Sequence, residues 1–151
     1  MKILIGVDDS RFSQVAVESV ARRLWTAGTE IKVVSAVEPP FITEAENQGL
    51  NGNYYEIARR AIDRAIATLR TSDNHFELTG DIVEGAAKKV ILDEAESWGA
   101  DLIVVGSHGR RGLDRFLLGS VSQAVALHAN CSVEIVRAPQ TKLPGGKQGE
   151  I

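Results

Sequence analysis

The chain has 151 residues, and its 17 Lys+Arg against 20 Asp+Glu leave a net charge of −3 at pH 7. That length suits one domain, which at this size buries about 68–70% of its unfolded surface. With 44% hydrophobic and only 5% aromatic residues, the composition excludes wholesale disorder and leaves little for a base-stacking single-strand binder; the acidic balance gives no footprint for nucleic acid or anionic membrane.

In chain order, short apolar runs alternate with longer helical patterns. Ile3–Val7 is apolar at nearly every position, as a strand covered on both faces is. It is too short, before Asp8, for the apolar core of a secretory leader. No run approaches the ~18 apolar residues of a membrane span, so the cytoplasm is the expected address. Ser10 or Ser13 can cap a helix bearing Val17, Val20, Ala21 and Leu24, with Gly28 as its stop. Ile31–Val37 reads as a second strand closed by Pro39-Pro40, and Phe41 to Asn53 as a loop. A helix with Ile62, Ile66 and Leu69 on one face then runs to about Arg70.

His75–Val83 is the third strand. A helix marked by Val90, Ile91, Ala95 and Trp98 follows Glu84-Gly85, and Leu102–Val105 is a fourth strand buried on both sides. Val121–His128 is a short helix and Ser132–Val136 the fifth strand. Ala138–Ile151 carries Pro, Gly and Lys but little to bury, so a flexible tail is expected over 138–151. The alternation predicts one α/β domain over 1–137 with a mostly parallel sheet. Cys131 is the only cysteine, which excludes an intrachain disulfide and suits a small packing residue. With His75, His108 and His128 it lacks the paired spacing of a metal cluster.

In open α/β sheets, ligands sit beyond the carboxyl ends of strands, where the strand order reverses. Two segments there carry suitable chemistry. Gly6-Val7-Asp8-Asp9-Ser10 places a carboxylate pair and a hydroxyl after strand one. Gly106 to Ser120 (GSHGRRGLDRFLLGS) follows strand four and leads into a helix at Gly119-Ser120-Val121-Ser122. Its glycines admit close backbone approach and positive φ, and a helix N-terminus presents unpaired N–H donors to an anion. The hydroxyls of Ser120 and Ser122 and the charges of Arg110, Arg111 and Arg115 add to a phosphate site. Each piece alone has a simpler reading: Ser120 with Gln123 as a capping box, the arginines as a solvated face, and Asp8 as a cap of the first helix. Jointly, both at carboxyl ends of strands, they favour a binding site.

Gly106-x2-Gly109-x9-Gly119-Ser120 resembles the G-2x-G-9x-G-(S/T) nucleotide motif of the universal stress protein family. The opening KILIGVDDS, the Gly85 turn and the run GADLIVVGSHGRRGLDRFLLGSVSQAV are similar to that family too, so the resemblance covers about Met1 to Arg137. It implies an open five-stranded parallel sheet of order 3-2-1-4-5, Rossmann-like, with helices on both faces. It also implies a homodimer through the last strand, and ATP binding where the motif is kept. By the same resemblance Asp8 lies near the ribose or a phosphate-bound Mg or Mn ion, and the Val37 backbone meets the adenine. Gly106, Ser107, His108 and Gly109 then approach ribose and phosphates, with Arg110, Arg111 and Gly112 in the same loop. Gly119, Ser120, Val121 and Ser122 hold the phosphates. Two positions depart from the family: Ser132 stands where Pro is frequent, and Glu134 puts a carboxylate in the last strand, which bears on the dimer interface.

The implied function is a regulatory ATP-binding module of the stress response, acting on a protein partner that the residues do not identify, with no catalytic residue assigned. The alternative is a slow Mg-dependent ATPase or nucleotidyl-transfer enzyme on the same site. No G-x-x-x-x-G-K-[ST] and no SGGxDS pattern supports that alternative. A dinucleotide or flavin binder would need G-x-G-x-x-G after strand one, where Asp8-Asp9 stands instead.

Overall fold

The computed structural model describes residues 1–38, 44–109 and 117–139, with side chains from residue 53 onward in the second helix. Five strands, β1 (Lys2–Gly6), β2 (Glu30–Val37), β3 (Glu77–Glu84), β4 (Leu102–Gly106) and β5 (Ser132–Val136), form one parallel sheet of order β3-β2-β1-β4-β5. Four helices cross between them: α1 (Arg11–Arg22), α2 (Glu44–Arg70), α3 (Ala87–Trp98) and α4 (Ser120–His128). The expected architecture and order are met, and the order reverses between β1 and β4.

Register and alternation place the core. Ile3 lies beside Ile31 and Leu102, and Ile5 beside Val33 and Val104. Those side chains face α1 and α2, meeting Val17, Val20, Ile62 and Leu69. The intervening Leu4, Val34, Ile103 and Val105 face α3 and α4, meeting Val90, Ile91 and Val125. Ile3, Leu4, Ile5 and Val104 are fully buried, each worth about 1.5–3 kcal/mol relative to exposure. This is why β1 and β4 read as unbroken apolar runs.

Two expectations change. α1 stops at Arg22, and Arg23 turns the chain into extended backbone (φ −91°, ψ 152°), so Leu24 is 87% exposed rather than on the apolar face. Trp25 fills the end instead: its Nε1–H donates to the Val20 carbonyl at 2.9 Å, and its backbone N–H donates to Asn74 Oδ1 at 3.0 Å. The segment from Glu44 to Asn53 is helix, not loop. Glu44, Ala45, Glu46, Gln48 and Leu50 are good helix formers and prevail over Gly49 and Gly52, which had pointed to a loop.

Charges close the edges. Arg23 makes a bidentate pair with Glu134 of β5, both bonds at 2.8 Å, and its guanidinium lies 4.6 Å from the Trp25 ring centroid. The carboxylate that departs from the family pattern therefore has a partner within the chain. Lys32 of β2 bridges Glu94 at 3.0 Å and Asp81 at 3.5 Å beneath α3. Burial disfavours its ammonium, but hydrogen bonding and charge from Glu94, aided by Asp81, outweigh this and raise its pKa above the usual 10.5. No described helix is long and apolar enough to cross a membrane. Of the expected tail, residues 140–151 lie outside the described residues.

Candidate functional site

At the end of β1 the backbone enters a turn held by its own polar groups. Ser10 is the N-cap of α1, accepting the Ser13 N–H at 3.3 Å. Ser13 Oγ accepts the Asp8 N–H at 2.9 Å, and Asp8 Oδ1 accepts the Ser10 N–H at 2.9 Å. Asp8 therefore braces the turn rather than capping the helix. Its other oxygen faces the β4 loop, since a Cβ at Gly109 would lie 3.1 Å from Asp8 Oδ2.

At the end of β4 the Ser107 carbonyl is the hub. It accepts the Gly119 N–H at 2.7 Å and the Ser122 hydroxyl at 2.9 Å, while the Ser107 N–H donates to Val136 at 2.9 Å. The two ends of the glycine-rich segment are thereby tied together. A Cβ at Gly106 would lie 2.7 Å from the Phe12 carbonyl, and one at Gly119 would lie 3.1 Å from His108 Cα. These glycines serve close approach, not unusual backbone angles. Among the described residues, positive φ occurs only at Gly28, Gly85 and Gly99, and Gly119 has φ −65°.

Among the described residues, the amino end of α4 is left open. Gly119 is its N-cap and supplies no side-chain bond; Ser120 is already the first helical residue. The Gln123 side chain donates to the Leu118 carbonyl at 3.1 Å instead of reaching back. The Ser120–Gln123 capping box, the simpler reading of those two residues alone, does not form, because Ser120 sits one residue too far inside the helix. The first intrahelical bond runs from the Gln123 N–H to the Gly119 carbonyl at 3.0 Å. The N–H groups of Ser120, Val121 and Ser122 lie ahead of it, where a helix has no acceptor of its own and its dipole is positive. Ser122 is buried and its hydroxyl donates inward, to the Ser107 and Gly119 carbonyls. What it presents outward is backbone.

His108 packs into the base of the loop. Its Nδ1 lies 3.1 Å from Ser107 Oγ, its ring leans on Phe12 at 5.2 Å between centroids, and its buried Nε2 has no hydrogen-bond partner among the described residues. An unpartnered buried nitrogen is costly, and here it accompanies a ring that shapes the loop by contact. Val37 is turned away from the cleft: its carbonyl accepts the Gly85 N–H at 2.9 Å. The Val34 carbonyl, in contrast, accepts the Val7 N–H at 2.9 Å, so the β2 backbone edge facing β1 recurs at Ala36, just past the end of β1. Strand register thus puts the backbone edge of Ala36, not that of Val37, on the side next to β1. Arg110, Arg111 and Gly112 lie outside the described residues, as does Arg115.

A cavity of about 260 Å³ opens on the α1–α2 side of Asp8, with Val7, Val17, Ile57, Arg60 and Arg64 among its walls. Nothing in the sequence pattern marked the two arginines of α2 as neighbours of Asp8. For a metal, the described residues offer no group of three or more His, Cys, Asp or Glu side chains. Asp8, with one oxygen already bonded to Ser10, fits a single outer contact to a cation carried by phosphates rather than a protein-built site. Cys131 lies far from this cleft in the fold, before β5. Burial, with the Asp101 charge second, raises its pKa above the usual 9.0, which suits an unreactive packing thiol.

The sequence and the fold are similar to those of known proteins. Universal stress protein A homolog 2 of Coxiella burnetii is 45% identical over 83 residues, covering 54% of this chain and 53% of its own length. A solved structure of the universal stress protein UspA from Lactobacillus plantarum superposes with a TM-score of 0.74 at 27% identity, covering 91% of this chain and 97% of that one. A universal stress protein solved in complex with cAMP matches with a TM-score of 0.62 at 25% identity, covering 91% and 96%. The chain spans about half the length of several curated relatives it matches, 53% and 52% in two of them. The family model described as "Universal stress protein family" matches residues 1–137, from β1 through the whole glycine-rich segment to the end of β5. With fold, strand order and sequence in agreement, the chain belongs to the universal stress protein family.

Proposed function

We propose that this chain binds an adenine nucleotide, ATP above all, and works as a regulatory module whose glycine-rich segment reports occupancy to a protein partner. The observation that carries this reading is the open amino end of α4 at Gly119–Ser122, tied to the end of β4 and set across the β4 loop from the Asp8 carboxylate. Phosphates would lie on the N–H groups of Ser120, Val121 and Ser122, with Gly106, Ser107, His108 and Gly109 forming the wall beneath them. Asp8 would accept ribose hydroxyls or contact a phosphate-bound Mg ion, and the Ala36 backbone would meet the base where Val37 had been expected. Arg110, Arg111 and Gly112 complete the proposed loop. The relative bound to cAMP supports the adenine part of the reading. We also propose pairing with a second copy through β5, an edge strand whose Glu134 is already neutralised by Arg23. No residue is assigned a catalytic role.

The test is mass spectrometry of nucleotide released from the purified protein, followed by ATP titration calorimetry with and without Mg. Co-purified ATP or micromolar binding is the expected result. No released nucleotide and no heat at millimolar ATP would overturn the reading and make the motif a purely structural closure of β4 onto α4.

A further inference from the structure

Asp8 is a wall shared by two spaces. On one side lie Gly109 and the open end of α4; on the other lies the cavity of about 260 Å³ between α1 and α2. The far wall of that cavity is one face of α2, where Ile57, Arg60, Ala61 and Arg64 recur at i, i+3, i+4 and i+7. Arg60 reaches Glu56 at 3.5 Å on the exposed surface, and Arg64 has no ion pair among the described residues. Asp8 and Asp9 stand on the near wall, so an anionic group entering here is driven against α2.

Charge therefore alternates across the cleft: the positive end of α4, the carboxylate of Asp8, then Arg60 and Arg64, two basic residues of the far wall. A ligand matching all three carries an anion at each end and a hydroxyl donor between them. AMP and ATP carry an anion at one end only. An adenosine with phosphates on both its 5′ and 3′ positions has the alternating pattern, with the 2′-hydroxyl left to donate. Arginine is suited to that second phosphate because its planar fork meets phosphate oxygens in pairs.

Resting on the adenine-nucleotide reading above, we propose that Arg60 and Arg64 form a second phosphate subsite. The preferred ligand class is then nucleoside bisphosphates rather than nucleotides with a single phosphate group or chain. The test is calorimetric titration of the full chain with AMP and with adenosine 3′,5′-bisphosphate, for the native protein and for the double variant Arg60→Gln/Arg64→Gln. The bisphosphate is expected to bind about tenfold more tightly than AMP at low salt, with the advantage shrinking as salt rises. The double variant should bind both ligands equally, with AMP affinity unchanged. Both positions are exposed, so the variant should keep its thermal midpoint. Equal binding of the two ligands to the native protein, or an advantage that survives the double substitution, overturns the subsite while AMP binding upholds the site itself. If neither ligand binds at millimolar concentration, the nucleotide reading falls and the subsite falls with it.

Discussion

The two helices that start at the carboxyl edge of the central strands begin in opposite ways. α1 starts on Ser10, whose hydroxyl caps the Ser13 N–H, and Asp8 and Ser13 close the same turn. α4 starts on Gly119, with no side-chain cap, although Ser120 and Gln123 stand beside it. Helix starts in water are commonly satisfied by a local hydroxyl or carboxylate. One that keeps its donors open, while the loop before it is tied down through the Ser107 carbonyl, has the arrangement of an anion site. Ser10 thus caps its helix, whereas Ser120, one residue inside α4, does not.

The most severe way to break this comparison is Gly119→Val. Its Cβ would press on His108 Cα and the Ser107 carbonyl at 3.1 and 3.2 Å. Calorimetry should show ATP affinity falling at least about a hundredfold, or ~2.7 kcal/mol, while far-UV circular dichroism keeps the native helix content. Asp8→Asn comes next, because the amide oxygen can still accept the Ser10 N–H while the charge is lost. ATP should bind about three- to tenfold more weakly, since charge-assisted hydrogen bonds are stronger than neutral ones.

Exchanging the two serines for alanine sharpens the contrast. Ser10→Ala should cost about 1 kcal/mol by removal of a cap, a fall of ~2–4 °C in Tm, with ATP binding nearly unchanged. Ser120→Ala should stay within about 0.5 kcal/mol in stability, because Ser120 caps nothing, yet weaken ATP binding a few-fold. If Ser120→Ala lowers Tm as much as Ser10→Ala, the two helix starts are alike and the contrast is lost.

The smallest effect lies away from the site. Lys32 has a raised pKa in the folded chain, so its pairing with Glu94 and Asp81 contributes below the unfolded value and is lost as pH climbs through the folded one. Thermal denaturation should therefore show an alkaline loss of stability beginning above the ordinary lysine value of 10.5. Glu94→Gln should flatten that loss. An unchanged alkaline profile in the variant would mean that Lys32 is held by packing against Trp98 rather than by charge.

How legible all this was in the sequence depended on the range of the physics involved. β1 and β4 were plain because burial on both faces leaves an uninterrupted apolar run, and the glycines of the β4 loop were plain because side chains would collide there. The end of α1 was not: Leu24 continues the helical spacing, but Trp25 wins the site through its bonds to Val20 and Asn74, the latter 49 residues away. The start of α2 was hidden by glycines whose local cost the surrounding helix formers outweigh.

What the sequence alone determined is the alternation of strands and helices, the absence of an intrachain disulfide, and the placing of Asp8 and the glycine-rich segment at two strand ends. These follow from periodicity and residue chemistry read over a few neighbours. Tertiary structure decided that the backbone edge of Ala36 rather than that of Val37 lies on the β1 side of β2, that Ser122 turns its hydroxyl inward, and that α4 begins without a side-chain cap. It also set Arg60 and Arg64 across a cavity from Asp8. The reason is the same in each case: a backbone group or side chain takes its direction from the partner it meets. Those partners lie in other strands and helices, brought near only when β1, β2 and β4 pair in register.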